Sequence, residues 1–380
     1  MKVVVLGAGR VGGAIAIDLA KHAEFDVRVA DRDPRLLERL EVRHGIAGGR
    51  VDFSARGSTA RAVAGADFVV SAVPGFLGYR TLQTVLEARK RVVDIAFFPE
   101  DPLTLDSLAK ANGVTALVDC GVAPGMSNLL VGRESARLDR TTRVRIYVGG
   151  LPTVRVLPYE YKAGFSPIDV IEEYTRPSRV VEAGDLRVKP ALSDVELVEV
   201  EGIGTLEAFV TDGLRTLLGT IPCSDMAEKT LRYPGHAERI RLLRDSGFLD
   251  TQPIDVNGTS VRPVDMAAAL LFPLWEMRDG DEDMTVMRIV VDGEERGRAV
   301  RVTYTLADRF DRATGTSSMA RTTGYTAAMA VRMLAKDLFH ETGIVPPEFV
   351  GRNEDCVRFL LAGLAERGIA YHRTEVPSES

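Results

Sequence analysis

The N-terminal segment KVVVLGAGRVGG constrains the fold of this chain more than any other stretch. A short β-branched apolar run leads into glycines and then into a helical pattern, which predicts a buried parallel strand, a tight turn and a helix. Gly7, Gly9 and Gly12 have the G-x-G-x-x-G spacing. In that motif the first glycine permits the turn, the second admits a pyrophosphate to the backbone, and the third lets helix and strand pack closely. A simple strand–helix turn is the alternative interpretation.

An acidic residue at the end of the second predicted strand, DVRVADRD, supports a dinucleotide site. Asp31 lies 19 residues after the last motif glycine, at the position from which a carboxylate bonds the adenosine ribose hydroxyls. The backbone N–H groups of Arg10 and Val11, which open the helix, would face the pyrophosphate. Asp31 repels a 2′-phosphate and so favours NAD over NADP, while Arg32 offers either stacking on adenine or a bond to that phosphate. We therefore predict NAD as the cofactor.

Further short apolar runs, RVDFSA, ADFVVSAV, RVVDIAF and TALVDCG, alternate with helix-length segments. This alternation predicts an α/β Rossmann domain, a doubly wound parallel sheet, over residues 1–124. Ligands of such sheets bind at the carboxyl ends of the strands. That rule nominates cofactor-contacting residues after the fourth, fifth and sixth strands: Ala72, Val73, Pro74, Asp94, Gly121 and Val122. The loop DCGVAPGMSN, residues 119–128, is expected to line the ligand cleft, with a plain interdomain linker as the alternative.

The pattern changes after this loop. Residues 125–317 predict an α+β substrate and oligomerisation domain with a largely antiparallel sheet, because segments such as RVRIYVGGLP alternate apolar and polar residues. The Asp292-Gly293 pair predicts a hairpin turn. Helical segments are predicted at 224–232, 236–247 and 263–278.

The C-terminal part of the chain is expected to return to the first domain. The segment TTGYTAAMAVRMLAKDLF, residues 322–339, predicts a helix that is too apolar to lie exposed. We expect it to pack on residues 1–125, so that about 318–350 completes the Rossmann domain. Residues 351–380 predict a helix and a strand that pack on the two domains.

Charge and composition bear on partners and location. A net charge of −6 without a basic block argues against nucleic acid. No apolar run reaches the ~20 residues of a membrane span, and the N-terminal run is too short for a signal peptide. Cys120, Cys223 and Cys356 lie far apart, which fits a reducing compartment and predicts a cytoplasmic protein. Metal-binding motifs are absent from the sequence, so no metal is expected.

Five segments together resemble the saccharopine dehydrogenase family, most closely its lysine 6-dehydrogenase branch. They are VVVLGAGRVGGAIA, VVDIAFFPED, VDCGVAPGMSNLL, EAFVTDGLRTL and EKTLRYPGHAE. The glycine motif is common to many nucleotide-binding proteins, whereas the combination of TDGLRT with KTLRYPGH is more specific. The resemblance covers residues 3 to about 340 in the order found in the family.

The resemblance implies an NAD-dependent oxidation of the lysine ε-amine carbon to allysine, which cyclises to piperideine-6-carboxylate, with release of ammonia. It also implies a Rossmann domain completed by C-terminal segments and a homo-oligomer, either a dimer or a dimer-based assembly. Two alternatives stay open. One is a saccharopine dehydrogenase-type enzyme that acts on another C–N bond of an amino-acid substrate, and the other is a non-catalytic NAD-binding scaffold.

The implied chemistry sets requirements for the site. A lysine ε-ammonium with a pKa near ~10.4 must lose its proton before a hydride can leave the adjacent carbon. The site should therefore hold a proton acceptor, a carboxylate near the reacting amine, and an arginine whose guanidinium matches the substrate α-carboxylate.

The candidate residues for these roles lie in the segments that carry the resemblance. Asp119, Lys162, Lys229 and His236 are the catalytic candidates, and Asp212, Arg215, Arg232 and Tyr233 are the substrate-binding candidates. His236 is expected to titrate near neutral pH and to carry protons. Each candidate also has an ordinary structural interpretation, such as a loop-capping carboxylate, a solvated lysine or a hydrogen-bonded structural histidine.

Overall fold

The computed structural model describes residues 1–165, 167–278 and 280–377. The chain divides into two compact units, residues 1–137 with 319–371 and residues 138–318 with 372–380. In the part of the chain that the structure describes, no helix is both long and apolar enough to cross a membrane.

The described residues contain eighteen strands, in chain order: β1 (Lys2–Leu6), β2 (Asp26–Asp31), β3 (Gly48–Arg50), β4 (Phe68–Ser71), β5 (Arg91–Asp94), β6 (Thr115–Leu117), β7 (Arg140–Pro152), β8 (Ser178–Glu182), β9 (Asp185–Lys189), β10 (Glu196–Val200), β11 (Gly204–Val210), β12 (Asp225–Arg232), β13 (Ile254–Val256), β14 (Thr259–Val261), β15 (Asp283–Glu295), β16 (Arg298–Arg309), β17 (Gly343–Val345) and β18 (His372–Pro377). The helices are α1 (Arg10–Ala20), α2 (Pro34–His44), α3 (Ser58–Val63), α4 (Gly75–Glu87), α5 (Asp106–Ala111), α6 (Met126–Arg137), α7 (Pro167–Thr175), α8 (Leu217–Thr220), α9 (His236–Asp245), α10 (Pro263–Trp275), α11 (Ser318–Ala335), α12 (Pro347–Gly351) and α13 (Glu354–Glu366), with a 3₁₀ turn at Pro102–Leu105.

The first unit is built on a seven-stranded parallel sheet in the order β17-β6-β5-β4-β1-β2-β3. Its central strands are buried on both faces, as their continuous Val-rich sequences require. The strand order reverses between β1 and β4, which is the point where open α/β sheets bind their ligands. The predicted α/β Rossmann fold is confirmed, although β3 ends at Arg50, where the predicted strand RVDFSA begins.

C-terminal elements complete this unit. Strand β17 pairs in parallel with β6, and helix α11 packs on α1, where a Cβ at Gly324 would lie 3.2 Å from Ile15 Cγ1. Arg332 of α11 donates from Nη1 to buried Asp18 Oδ2 of α1 at 2.8 Å. The first unit also extends to Arg137 and not only to residue 124, because α6 packs closely on α12.

The second unit contains a nine-stranded sheet with the central order β10-β11-β12-β7-β15-β16-β18. Its ladders are antiparallel apart from β12 with β7, so the predicted largely antiparallel sheet is confirmed. Helices α7, α9 and α10 supply a core cluster around Trp275, which is 1% exposed. The C-terminal tail divides between the units, with α13 in the first and β18 in the second.

Two predictions about this unit were wrong. Residues 225–232 form a strand, β12, and not the helix predicted at 224–232, because the polar residues of this buried strand have partners that are distant in the sequence. The hairpin turns at Arg296 and Gly297, both with positive φ, and not at Asp292-Gly293. The latter pair is instead a β-bulge against β7, which lets β15 continue beyond it.

Candidate functional site

The glycines of the N-terminal motif are fixed by close backbone approaches. A Cβ atom at Gly7 would lie less than 3.0 Å from Ala72 O, a separation that real Cβ atoms essentially never show. Gly7 also has a φ of +106°, which favours glycine. A Cβ at Gly12 would clash in the same way with Gly7 O, whereas one at Gly9 would have no neighbour within 4 Å. Gly7 and Gly12 are therefore required by the fold, and Gly9 leaves open space for a ligand against the backbone.

Asp31 lies beside this loop at the carboxyl end of β2. Its Oδ2 accepts a hydrogen bond from Ala8 N at 2.6 Å, and its Oδ1 accepts one from Asp33 N at 2.8 Å. These bonds hold the carboxylate at the edge of the glycine loop. This is the arrangement that the sequence spacing predicts for a ribose-binding acid.

A cavity of about 660 Å³ lies next to Asp31 and has a mixed charge. Its lining residues are Arg32, Asp33, Pro34, Arg35, Arg50, Asp52 and Ser54. Arg35 donates to both oxygens of Asp33, and its guanidinium lowers the pKa of that carboxyl to about 2. The cavity therefore presents cationic groups, including Arg32, at the point where the adenosine end of a dinucleotide would lie.

The other residues nominated for the cofactor follow neighbouring strands at the same edge of the sheet. Ala72, Val73 and Pro74 follow β4, and Asp94, which ends β5, accepts from Ala96 N at 2.7 Å through Oδ1. After β6, Gly121 O accepts from Met126 N at 2.9 Å, and Val122 O accepts from Ser127 N at 3.0 Å.

Asp119 lies in this last loop and is buried, with a φ of +50°. Cys120 is buried beside it, and burial, with Asp119 and Asp94 nearby, raises the pKa of the thiol to about 12. This cysteine therefore stays protonated at physiological pH.

In the second unit, strand β12 divides the segment EKTLR between two faces of the sheet. Side chains alternate along a strand, so Glu228, Thr230 and Arg232 point to one face and Lys229 points to the other. Lys229 Nζ donates to Glu196 Oε1 at 2.6 Å and to Asp194 O at 2.7 Å. Lys229, a catalytic candidate, and Arg232, a substrate-binding candidate, therefore lie on opposite faces of the sheet.

Arg232 is buried and bonded on several sides. Its Nη2 donates to Glu173 Oε2 at 3.1 Å, its Nη1 to Leu231 O at 2.9 Å, and its Nε to Tyr174 Oη at 3.4 Å. Its guanidinium also stacks on the ring of Tyr161 at 4.5 Å. A substrate carboxylate could reach this arginine only by displacing Glu173.

His236 begins helix α9 and is fully buried. Nδ1 lies 3.0 Å from Tyr159 O, which can only accept, so Nδ1 carries the proton and Nε2 accepts from Tyr174 Oη at 2.8 Å. Burial, and then the charge of Arg232, lowers the pKa of His236 to about 3. The expectation that His236 titrates near neutral pH is therefore wrong, because the ring lies in a dry aromatic cluster beside a fixed cation.

Glu228 is the titratable group that the sequence argument missed. Its carboxylate accepts from Thr211 Oγ1 and from Gly213 N, the latter at 3.2 Å, and a Cβ at Gly213 would clash with it. Burial raises the pKa of Glu228 to about 7. Burial also raises the pKa of Glu173 on α7. Had 225–232 been recognised as a strand, its alternation would have placed Glu228 on the face of Arg232.

The remaining candidates have identifiable surroundings. Asp212 accepts a hydrogen bond from Arg179 Nε at 2.8 Å. Arg215 follows the turn at Asp212-Gly213 and is buried, with a φ of +53°. Lys162 Nζ donates to Glu276 O at 2.9 Å and lies 3.5 Å from Asp281 Oδ2. Tyr233 donates to Pro152 O at 2.8 Å, which is a structural bond within the sheet. Among the described residues, no group of three or more His, Cys, Asp or Glu side chains is placed to hold a metal ion.

Comparison with known proteins agrees with this architecture. Residues 3–117 match the sequence model of the saccharopine dehydrogenase NADP binding domain, and residues 121–369 match that of the saccharopine dehydrogenase C-terminal domain. Among curated relatives, alpha-aminoadipic semialdehyde synthase from Arabidopsis thaliana is 23% identical over 301 residues, which is 68% of this chain and 28% of that protein. The mitochondrial alpha-aminoadipic semialdehyde synthase from Bos taurus is 20% identical over 419 aligned positions, covering 91% of this chain and 45% of that protein. This chain thus spans less than half of the length of either relative.

Solved structures show the same fold. The apo histidine-tagged saccharopine dehydrogenase (L-Glu forming) from Saccharomyces cerevisiae aligns with a TM-score of 0.81 at 19% identity, covering 99% of each chain. The homospermidine synthase from Legionella pneumophila, in complex with NAD, aligns with a TM-score of 0.68 at 12% identity, covering 100% of this chain and 92% of that one. The two family models together span nearly all of the residues described above, and the chain belongs to the saccharopine dehydrogenase family.

Proposed function

We propose that this protein catalyses the NAD-dependent oxidative deamination of the lysine ε-amine to allysine, with release of ammonia. The observation that carries the proposal is the glycine loop with Asp31, a built dinucleotide site in a chain of the saccharopine dehydrogenase family. In the reaction, the carbon bearing the amine is oxidised to an iminium, water adds to that carbon, and ammonia leaves. The aldehyde then closes on the α-amine to give piperideine-6-carboxylate.

The residues present fit a nicotinamide dinucleotide. The open space at Gly9 and the N-terminus of α1 suit a pyrophosphate, and Asp31 suits an unphosphorylated ribose. When bound, the cofactor supplies the hydride acceptor. We propose NAD because Asp31 would repel a 2′-phosphate, and we assign Arg32 in the neighbouring cavity to stacking on adenine.

The charges of the second unit favour a substrate with one carboxylate. Four of its cationic side chains each bond or pair with an internal carboxylate: Arg232 with Glu173, Lys229 with Glu196, Arg179 with Asp212, and Lys162 with Asp281. A tricarboxylic substrate such as saccharopine would have to displace several of these partners, whereas lysine needs one guanidinium. We propose Arg215 for that role, because the Asp212-Gly213 turn, held by Arg179 and Glu228, fixes its position.

The acid–base requirement points to a carboxylate and not to the histidine. His236 is neutral and its two ring nitrogens are engaged, whereas Glu228 has a pKa of about 7, near the pH at which a proton acceptor works best. We propose that Glu228 exchanges protons with the substrate amine.

The decisive experiment incubates the purified protein with NAD or NADP and a panel of amines, and follows cofactor reduction at the nicotinamide absorbance band. The panel contains L-lysine, saccharopine and cadaverine. Ammonia and glutamate are measured among the products, because lysine 6-oxidation releases ammonia, while oxidation of saccharopine at the lysine ε-carbon and hydrolysis of that C–N bond release glutamate. Lysine-dependent NAD reduction with equimolar ammonia is the expected result.

One variant and two further outcomes separate the alternatives. Arg215→Ala should raise the KM for lysine by one to several decades, since an unpaired buried charge costs about 2–5 kcal/mol, and should affect cadaverine little. Glutamate release would assign the saccharopine-type reaction instead. Cofactor binding without reduction by any amine of the panel would favour the scaffold interpretation.

A further inference from the structure

Thr211 lies beside the carboxylate of Glu228 in the second unit. It directly follows β11, and its backbone N–H donates to Glu228 O at 3.2 Å, so the pairing of β11 with β12 continues to these two residues. Residues that lie opposite each other in an antiparallel pair point to the same face of the sheet. Thr211 and Glu228 are both buried, so their side chains meet in the interior.

Two hydrogen-bond donors converge on one oxygen of this carboxylate. Thr211 Oγ1 donates to Glu228 Oε2, and Gly213 N donates to the same oxygen at 3.2 Å. Among the described residues, neither of these donors nor any other bonds Oε1. The two oxygens of the carboxylate therefore have different surroundings.

The hydroxyl of Thr230 extends this arrangement. Thr230 lies two residues from Glu228 on β12 and so on the same face, and its Oγ1 is 2.9 Å from Thr211 Oγ1. A threonine hydroxyl has one proton to donate. Because Thr211 gives its proton to the carboxylate, Thr230 donates to Thr211. The buried chain of bonds thus runs from Thr230 through Thr211 to Glu228 Oε2.

We propose that Thr211 is a positioning residue for Glu228, whose hydroxyl, with Gly213 N–H, holds Oε2 as an acceptor and leaves Oε1 to exchange the proton with the substrate amine. A backbone N–H can only donate, so a proton on Oε2 would face the N–H of Gly213. The N–H bond of the amine therefore breaks as an O–H bond forms at Oε1. The lone pair that stays on nitrogen then assists the departure of the hydride. This inference rests on the proposed role of Glu228.

The groups around Glu228 act on its ionisation in opposite directions. Burial opposes the charged form most strongly, and the charges of Glu173 on α7 and of Asp212 in the turn oppose it as well. Each of these acids has its own cation, Arg232 for Glu173 and Arg179 for Asp212.

The hydrogen bond from Thr211 is the strongest influence that favours the charged form of Glu228, and the bond from Gly213 N adds to it. On the other side of β12, strand β7 places apolar Ile146 next to Glu228. Thr211 therefore keeps the pKa of Glu228 near 7, where burial alone would hold it higher.

The first test measures how kcat/KM for lysine depends on pH. On the acid side, kcat/KM rises as the proton acceptor ionises in the free enzyme. Thr211→Val removes the hydroxyl donor and should move this rise to higher pH by about 1–2 pH units, which corresponds to one hydrogen bond to a charged group. Thr211→Ser keeps the donor and should retain the native profile. A native profile in Thr211→Val would overturn the proposal.

Two further variants separate this role from a loss of stability. In Thr115→Val, a buried hydroxyl that donates to Glu341 O at 2.7 Å is lost from the first unit, and the profile should stay as in the native protein. Glu173→Gln should move the rise to lower pH, because a negative charge near Glu228 is removed. General destabilisation would not move the profile in opposite directions in Thr211→Val and Glu173→Gln.

The second test needs no substrate. The folded-state pKa of Glu228 sets the pH range over which the chain loses stability relative to its Glu228→Gln variant, as denaturant titrations measure it. In a Thr211→Val background this range should extend upward by the same 1–2 pH units. No extension would overturn the proposal whichever amine the protein oxidises. An extension without a change in the kcat/KM profile would show that Thr211 holds the carboxylate, and it would refute Glu228 as the proton acceptor.

Discussion

Replacing Asp31 by Asn tests the assignment of the cofactor site directly. The carboxylate accepts from Ala8 N at 2.6 Å and from Asp33 N at 2.8 Å. The Asn side chain keeps a carbonyl acceptor for one of these N–H groups, loses the acceptor for the other, and removes the charge. Because weaker support of the loop affects NAD and NADP alike, the ratio of their affinities isolates the bond to the ribose.

The expected effect follows from the strength of a charged hydrogen bond. Such a bond contributes about 1.5–3 kcal/mol, and each 1.4 kcal/mol is tenfold in affinity, so NAD should bind about 10 to 150 times more weakly. NADP should lose little or gain, because the carboxylate that repels its 2′-phosphate is gone while Arg32 remains nearby. The ratio of the NADP to the NAD dissociation constant should thus fall at least about tenfold.

Calorimetric titration of the protein with NADH and NADPH measures both constants. Asp67→Asn is the matched control, because Asp67 also accepts a backbone N–H, from Lys2 at 2.7 Å, but lies before β4 at the amino ends of the strands. It should leave the ratio unchanged. Equal losses for NAD and NADP in the Asp31→Asn protein would refute the ribose assignment.

Three further predictions follow from close contacts and buried charges. Gly12→Ala should lower the melting temperature and abolish NADH binding, because the added Cβ would clash with Gly7 O. Gly9→Ala, where the added Cβ meets open space, should keep the melting temperature and bind NADH more weakly. Thermal-shift measurements and NADH titrations distinguish the two variants. The pKa of Glu228 is about 7 in the folded chain and 4.5 in the unfolded chain, so the protein is most stable with respect to this group below about pH 4.5 and loses that stability as the pH rises through 7. Glu228→Gln, which cannot ionise, should therefore have a free energy of unfolding up to about 3 kcal/mol higher than the native chain at pH 8. Denaturant titrations should show that this difference vanishes near pH 4. Asp18→Asn should cost about 3–5 kcal/mol of stability in the same assay, because it leaves the buried guanidinium of Arg332 without its charged partner, and a loss below about 1 kcal/mol would contradict this role.

The geometry of the N-terminal glycine loop was predictable because its determinants are local. The spacing of Gly7, Gly9 and Gly12 and the acid at Asp31 lie within two strands and one helix, and local backbone geometry decides what those positions can do. The parallel sheet followed from the same kind of signal, since short apolar runs alternate with helix-length segments.

The second unit was harder to predict because its polar residues find partners far along the chain. Arg232 bonds Glu173, which lies 59 residues away, and Lys229 bonds Glu196, which lies 33 residues away. Without these partners in view, a run of charged residues indicates a solvated helix, and the strand β12 was missed. The low pKa of His236 likewise depends on burial and on Arg232, which spacing along the sequence does not reveal.

The pairing of β17 with β6 has a consequence for synthesis on the ribosome. Strand β6 is complete when residue 117 emerges, but its neighbour in the sheet and the Arg332 partner of Asp18 follow only after residues 138–318 have been made. At about 5–20 residues per second, that interval is on the order of 10 to 40 s. During this time one edge of β6 is unpaired, and Asp18 of α1 lacks the cationic partner that it has in the finished fold. The nascent chain therefore needs protection of that edge, and a ribosome stalled within the second unit would hold a dinucleotide-binding domain that cannot finish folding.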